Sequence, residues 1–443
     1  MSRTEDQIIV PCGTPQLGAG SKSRVLLIVA VFMLFLAASG LGDQHALLAT
    51  VAHLQYREVG FSPLAWEIKV EPGERFTKEP PLSRTGVFRG RFCLGPDTNL
   101  FLPFAWDSSA QRLYLDLNRN RDLTDDPAGV FVGTGTGVQL YRGLRLEFPS
   151  PGGPYQVRVD AHVFEQGGIP RVFLYVRSLW EGAVEFSGKK WYVAVIGKPD
   201  GRLGPAASLK EINSRLILRP WAEKDKPFLW WHATQRYVES LSHVKLVTFP
   251  YRYAGNAEVF DAFNLPAKLF FQDQAYRVQC RVEAGHAAPA DLELSFEPTS
   301  VALGRVRVEG DFIRRLVLDG CGSADPFTAV IDAPVGEVRV PVGAYARQLV
   351  WLQCDGSTNT AIGLGTNRLA VNEVNAAVFK AGAPLRQMVE AGQANGASVS
   401  LSYRLINAGG LGFHLAFHDE KDPPRLAIRQ GNKLVGEGQF EFG

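Results

Sequence analysis

Apolar and polar residues alternate one for one along much of the chain beyond residue 60. A period of two is the spacing of a strand with one buried face. The runs Tyr155 to Phe164, Arg171 to Ser178, Trp191 to Ile196, Lys268 to Cys280, Arg305 to Leu318 and Ser398 to Leu405 all read this way, and Gly, Pro, Asn and Asp clusters separate them as turns. Helical spacing is scarce, and only Leu209 to Leu216 and Thr234 to Val244 carry it. The pattern predicts an all-β fold, a multi-module β-sandwich or β-sheet architecture with few short helices. A content of 45 Gly, 27 Pro and 27 Phe against 3 Met points the same way, toward turns and strands.

The N-terminus breaks the alternation. Arg3, Lys22 and Arg24 precede the unbroken apolar run Val25 to Ala38, and the small residues Ser39 and Gly40 follow it. Basic flank, short apolar centre and small-residue exit form the layout of a secretory signal. As a helix the run rises only about 21 Å, short of the roughly 30 Å hydrocarbon core of a bilayer. Residues 1–39 are therefore expected to be a signal peptide cut near Ser39-Gly40, or, if retained, a signal anchor through residues 25–38. The remainder is expected in the periplasm, at the cell surface or outside the cell. It divides into an N-terminal β-module at 43–206, a connecting region at 207–254, and one or more C-terminal β-sandwich modules at 255–443 with a further split near 355–370.

Charge narrows the partners. Lys plus Arg number 47 and Asp plus Glu 45, a net charge of +2, which gives no overall attraction to nucleic acid or an anionic bilayer. Membrane contact is expected only through the N-terminal segment if it stays uncut. Loss of the leader removes Cys12 and leaves Cys93, Cys280, Cys321 and Cys354. An even number in an exported chain permits two disulfides, and the spacing matches no zinc pattern.

Chemistry concentrates in Asp116-Leu117-Asn118-Arg119-Asn120-Arg121-Asp122-Leu123-Thr124-Asp125-Asp126. Oxygen-bearing side chains at alternate positions are what a calcium ion needs, because it takes six to eight oxygens from a loop wrapped around it. The segment 116–127 resembles the calcium loops of the EF-hand and dockerin class. The resemblance implies Asp116, Asn118 and Asn120 as side-chain ligands, Asp122 through its carbonyl, Leu123 as an apolar anchor, and Asp125 or Asp126 as the closing carboxylate. Two positions depart from it: Arg121 stands where a left-handed turn favours Gly, and Pro127 where a bidentate Glu is usual. A hairpin whose Asp and Asn side chains cap its own backbone is the competing reading. Residues Ala194 to Leu203 repeat the segment Tyr114 to Leu123 faintly, with Ile196 and Lys198 in place of Asp116 and Asn118, so that copy is expected to hold no cation.

A looser likeness lies at Val340-Pro341-Val342-Gly343-Ala344-Tyr345, which is similar to the strand-turn-strand of carboxypeptidase-regulatory-like, transthyretin-type β-sandwiches and implies no catalysis. No G-x-S-x-G, H-E-x-x-H or P-loop pattern occurs. Gly133 to Gly137 reads as a loop or strand crossover, since no helix follows it. His414 and His418 would lie about 13 Å apart on a strand, too far to share a metal. Trp230 and Trp231 offer a stacking surface for carbohydrate, though core packing is the commoner use of Trp. The expected function is an exported binding or structural protein, calcium-stabilised; the alternative is an extracellular hydrolase or carbohydrate-binding protein with its site between modules.

Overall fold

The computed structural model describes residues 49–439 except for 61–63, 96–99, 151, 206–213, 227–234, 240–244, 250–261, 284–288, 322–325, 354–359, 396–397, 416–424 and 431. The leader, the paired tryptophans at 230 and 231, Cys354 and His418 lie outside the described residues. The protein is all-β: strands dominate, and the helical turns among the described residues are two three-residue 3-10 segments, Pro127–Gly129 and Trp221–Glu223.

Twelve described strands lead up to residue 220: β1 (Thr50–Glu58), β2 (Leu64–Pro72), β3 (Val87–Cys93), β4 (Phe101–Asp107), β5 (Arg112–Leu115), β6 (Val130–Val132), β7 (Gln139–Phe148), β8 (Tyr155–Gln166), β9 (Ile169–Val176), β10 (Ser178–Phe186), β11 (Lys189–Gly197) and β12 (Ser214–Pro220). Eight of them form one sheet in the order β6-β5-β4-β3-β2-β9-β8-β7. Its two edges meet at a bridge between Thr134 and Leu140, so the sheet is a nearly closed barrel. The corner is β2, whose residues 64–68 pair with β9 and 69–72 with β3. Alternation decides what fills the barrel. On β8 the residues Tyr155, Val157, Val159, Ala161 and Val163 are wholly buried, as the period of two requires.

Most of the remaining strands form a second, 16-stranded sheet and a small three-stranded one, and Gln235–Glu239 with Lys245–Phe249 and Arg425–Gln430 with Lys433–Gln439 form two separate hairpins. The first strand of the chain joins its distant parts: Gln55 to Glu58 of β1 pair with β10, and Thr50 to Leu54 pair with the strand Leu292–Thr299. Strands from both sides of the expected junction near 255 thus share one sheet. One apolar cluster runs from the barrel interior into this sheet, uniting Phe104 and Tyr141 with Trp180, Val193, Phe263 and Leu294. A second cluster lies between the three-stranded sheet (Leu303–Glu309, Glu337–Pro341, Ala377–Lys380) and the C-terminal strands of the large one, a sandwich centred on Val306, Val340, Leu316, Val350 and Phe413.

Several sequence expectations change in detail. Residues 214–216 and 235–239, assigned to short helices by spacing, are strand; Ser214 to Gly197 register places Leu216 to Leu218 between β11 and the strand Ala262–Asn264, where sheet burial on both faces overrides a weak helical period. The run Lys268 to Cys280 is a hairpin folded at Gln272 and Asp273, both with positive φ (50° and 60°). The run Arg305 to Leu318 is two strands in different sheets, separated by a turn at 310–312. Cys93, Cys280 and Cys321 are free thiols, none joined to another.

Candidate functional site

The loop after β5 is tied into the barrel before any ion is considered. Asp116 donates its backbone N–H to the Pro103 carbonyl at 3.0 Å, which carries the end of β5 along β4. Its side chain is wholly buried, and its two carboxylate oxygens accept the backbone N–H groups of Asn120 (3.1 Å) and Arg121 (2.9 Å). Each amide side chain then makes an Asx turn: Asn118 Oδ1 accepts the Asn120 N–H and Asn120 Oδ1 accepts the Asp122 N–H, at 3.0 and 2.7 Å. Their Nδ2 groups donate to the Asp125 carboxylate at 3.3 and 2.6 Å. Asp126 Oδ2 accepts the Leu117 N–H at 3.0 Å, fastening the loop's end to its start. Pro127 opens a 3-10 turn that brings Gly129 against β5, where a Cβ would stand 2.2 Å from the Leu115 carbonyl oxygen and only Gly is accommodated.

Five of the six expected ligand side chains, Asp116, Asn118, Asn120, Asp125 and Asp126, therefore belong to one bonded loop. Asp122 differs. Its carboxylate faces outward to Lys78 Nζ at 2.8 Å and to the Thr124 N–H at 2.9 Å, and Lys78 with Thr124 holds it down at about 2; only its carbonyl is left for an ion, the role the resemblance gives it. Leu123 is buried with Ala105 and Tyr114, beneath Phe76 and Leu82. Among the described residues, no group of three or more His, Cys, Asp and Glu is close enough to hold a metal in this conformation. The loop closes here on internal hydrogen bonds.

Electrostatics point the other way. Asp126 is nine-tenths buried, and burial, followed by the charges of Asp125 and Asp116, pushes its carboxyl up against the pull of the two backbone N–H groups it accepts. A raised folded-state value means that the folded protein holds this proton to higher pH than the unfolded chain does. Its contribution to stability is then present below the ordinary aspartate value of 3.8 and is lost as pH rises through the folded value. A bound cation favours the ionised carboxylate and removes that loss. The calcium-induced rise in melting temperature is expected to be larger at about pH 7 than at about pH 4, because the carboxyl of Asp126 is held above its ordinary value. A rise of the same size at both ends would exclude Asp126 as a ligand.

Backbone strain marks the same loop. Arg119 (φ 60°) and Arg121 (φ 67°) are both left-handed, at a cost of about 1–2 kcal/mol each for a residue with a Cβ. Sequence reasoning found the second of these positions but not what holds it. The segment 74–79 runs beside the loop: Thr77 donates both its N–H (2.7 Å) and its hydroxyl (2.9 Å) to the Arg121 carbonyl, and Lys78 bridges to Asp122 in parallel register. Buried Glu74 then meets Arg91 at 2.9 Å and Arg121 at 3.7 Å. No local signal announces this, because Glu74, Thr77 and Lys78 lie more than 40 residues before their partners in the loop (Thr77 and Arg121 by 44).

The faint repeat has a structural counterpart. Asp200 Oδ1 accepts the Arg202 N–H at 3.1 Å, as Asn120 does for Asp122, and Gly201 is left-handed (φ 76°) as Arg121 is. In place of an open oxygen set, Lys198 Nζ lies 2.8 Å from Asp200 and 3.3 Å from the Trp66 ring centroid. Burial lowers the ammonium and raises the carboxyl, and their contact opposes both shifts. This copy carries its own cation.

Elsewhere a shallow cleft opens where β2 leaves β9, lined by residues 67–70 and 169–171. Of its three charged groups, Glu67 and Arg171 pair with each other and Lys69 pairs with Glu71 at 2.7 Å, and its lining includes no histidine, serine or cysteine. In the C-terminal sandwich, Tyr345 folds back so that its hydroxyl donates to the Pro341 carbonyl at 2.6 Å. It thereby locks the turn by which the chain crosses from the three-stranded sheet to the large one. Comparison with protein-family models, with curated proteins and with solved structures finds no match to this chain.

Proposed function

We propose that the chain is an exported binding or structural protein whose N-terminal barrel carries a calcium-stabilised loop of the EF-hand or dockerin type, set on β-strands instead of helices. The observation that carries this reading is Asp126, a residue whose carboxyl lies beside the charges of Asp125 and Asp116 and is pushed up by burial and by them. Buried carboxylates crowded in this way are relieved by a hard cation, and Asn118 and Asn120 supply the neutral oxygens such an ion prefers. Their Oδ1 atoms would turn from the Asx hydrogen bonds to the ion. The Tyr345 turn, with its Pro341 contact, supports a likeness of the C-terminal part to transthyretin-type sandwiches.

Isothermal titration of the leader-free protein with calcium, after chelator treatment, is expected to give one site. Heats indistinguishable from dilution would remove the calcium reading. Export is tested separately. Expressed with its own leader in a bacterial host, the protein is expected to mature to a form beginning near Gly40, and a full-length cytosolic product on N-terminal sequencing would contradict it.

A further inference from the structure

We propose that the hairpin of Leu385–Asn395 and Ser398–Asn407 is a dimerisation arm, through which a second copy of this chain joins the large sheet edge to edge. The strand Leu385–Asn395 is the last in that sheet and pairs with Ser398–Asn407 alone. Its partner in turn pairs with Gly412–Leu415 only at Leu405 and Ile406. From Arg404 to the tip, the hairpin has no third strand beside it among the described residues. A two-stranded ribbon is marginal in water by itself, and a free edge presents a row of unpaired N–H and C=O groups.

Only the base of the arm is packed, where Leu385 and Leu405 meet the sandwich core. Just beyond it Arg386 and Gln387 are exposed, and Val389 is 45% exposed. Neighbouring positions belong to opposite faces of a strand, so both faces of the arm are open there. The pairing with Ser398–Asn407 keeps one register from Leu385 to Ala391 and shifts before Ala394. A shift of this kind bends a strand, which leaves residues 385–391 as the straight edge, about 20 Å long.

Charge selects the occupant. Edge strands carry charges that discourage promiscuous pairing, and those of the straight edge are Arg386 and Glu390. Four positions apart, they are about 13 Å from each other along the strand, too far to neutralise one another. When two copies pair antiparallel about Met388, Arg386 of each stands opposite Glu390 of the other. Both pairs form at once, as two-fold symmetry requires. Centring the pairing one residue to either side matches neither charge, and parallel pairing in register sets like charges together. The edge that repels other strands thus accepts its own copy in one register. A contact of this length is small beside those of stable oligomers, so the dimer is a weak one. This inference depends on neither the calcium loop nor export.

The test is sedimentation equilibrium of the leader-free protein from about 5 to about 500 µM, over which the average mass should climb from monomer toward dimer. The climb is expected in chelator and in calcium alike. Arg386→Glu and Glu390→Arg, each alone, set like charges opposite each other twice and should weaken association about tenfold or more. An equimolar mixture of these two variants restores both pairs and should associate as the wild type does. So should the single chain carrying Arg386→Glu and Glu390→Arg together, in which both charges are exchanged. The proposal is overturned by a wild type that stays monomeric at the highest concentration, by single variants that associate as the wild type does, or by a mixture and an exchanged chain that both remain monomeric.

Discussion

Trp180→Ala is expected to lower the unfolding free energy by about 3–5 kcal/mol, the range for truncating a large aromatic in a core that cannot collapse around the gap. Trp180 lies on β10 and is wholly buried. Its ring meets Tyr56 of β1 at 5.8 Å and Tyr155 of the barrel strand β8 at 6.2 Å, both edge-on, and its Nε1–H donates to the Ala290 carbonyl at 2.8 Å, just before the strand Leu292–Thr299. One side chain thus touches the barrel, the first strand and the second half of the large sheet. Gly197 leaves room for it, since a Cβ there would stand 2.9 Å from the indole. A loss of this size is a large fraction of the roughly 5–15 kcal/mol that holds a typical domain. Urea unfolding measures it, and a loss under about 1 kcal/mol would mean that barrel and large sheet do not share a core. Trp180→Phe separates the two contributions, for it keeps an aromatic ring but leaves the Ala290 carbonyl without its donor, at about 1–3 kcal/mol.

The fold class was legible because burial writes itself into a period of two. On β8 the apolar letters at every second position of YQVRVDAHV, Tyr155 to Val163, are the inward residues one by one. What the period cannot carry is pairing. Nothing in the text of β1 says that its first five residues pair with a strand some 240 positions later while its last four pair with β10; side-chain alternation specifies a face and says nothing of a neighbour. Boundaries inside a run fail for a related reason. Gln272-Asp273 and Gly310-Asp311-Phe312 turn the chain through left-handed residues that are not Gly-Gly or Asn-Gly, so the usual turn signal is weak. The helical reading failed at 214–216 because a strand buried on both faces has no alternation to show.

The candidate loop was legible in its own residues and illegible in its setting. The spacing of Asp116, Asn118 and Asn120 predicted a wrapped backbone, and the structure supplies one, with Arg121 in the left-handed conformation required at that position. Glu74, Thr77, Lys78, Arg91 and Phe101 reach the loop through tertiary contacts alone. The second copy was legible in the same way: its turn survives, and Lys198, visible in the sequence in place of Asn118, pairs with Asp200.

Asp116→Ala is expected to abolish most of the stabilisation that calcium gives the wild type. If the ion binds only the folded loop, calcium at a hundred times Kd adds about 2.7 kcal/mol. Asp116 is the buried carboxylate around which the loop is wound, and its removal takes a charged oxygen from a shell that already lacks the usual bidentate Glu. The same substitution strands the N–H groups of Asn120 and Arg121, so the variant should also be less stable in chelator, by about 1–3 kcal/mol for each group that water cannot reach. The measured quantity is therefore the difference between calcium and chelator for each protein, never one curve alone. Asp200→Ala provides the contrast. It leaves Lys198 buried against Trp66 without its carboxylate, a loss of about 3–5 kcal/mol when one partner of a buried pair is deleted. That loss is expected to be the same with and without calcium, because Lys198 already pairs with Asp200. The two variants should consequently both melt early, yet only Asp200→Ala should keep the full calcium increment. Identical wild-type curves in chelator and in millimolar calcium would instead assign the loop to its internal hydrogen bonds, with Asn118 and Asn120 capping their own backbone.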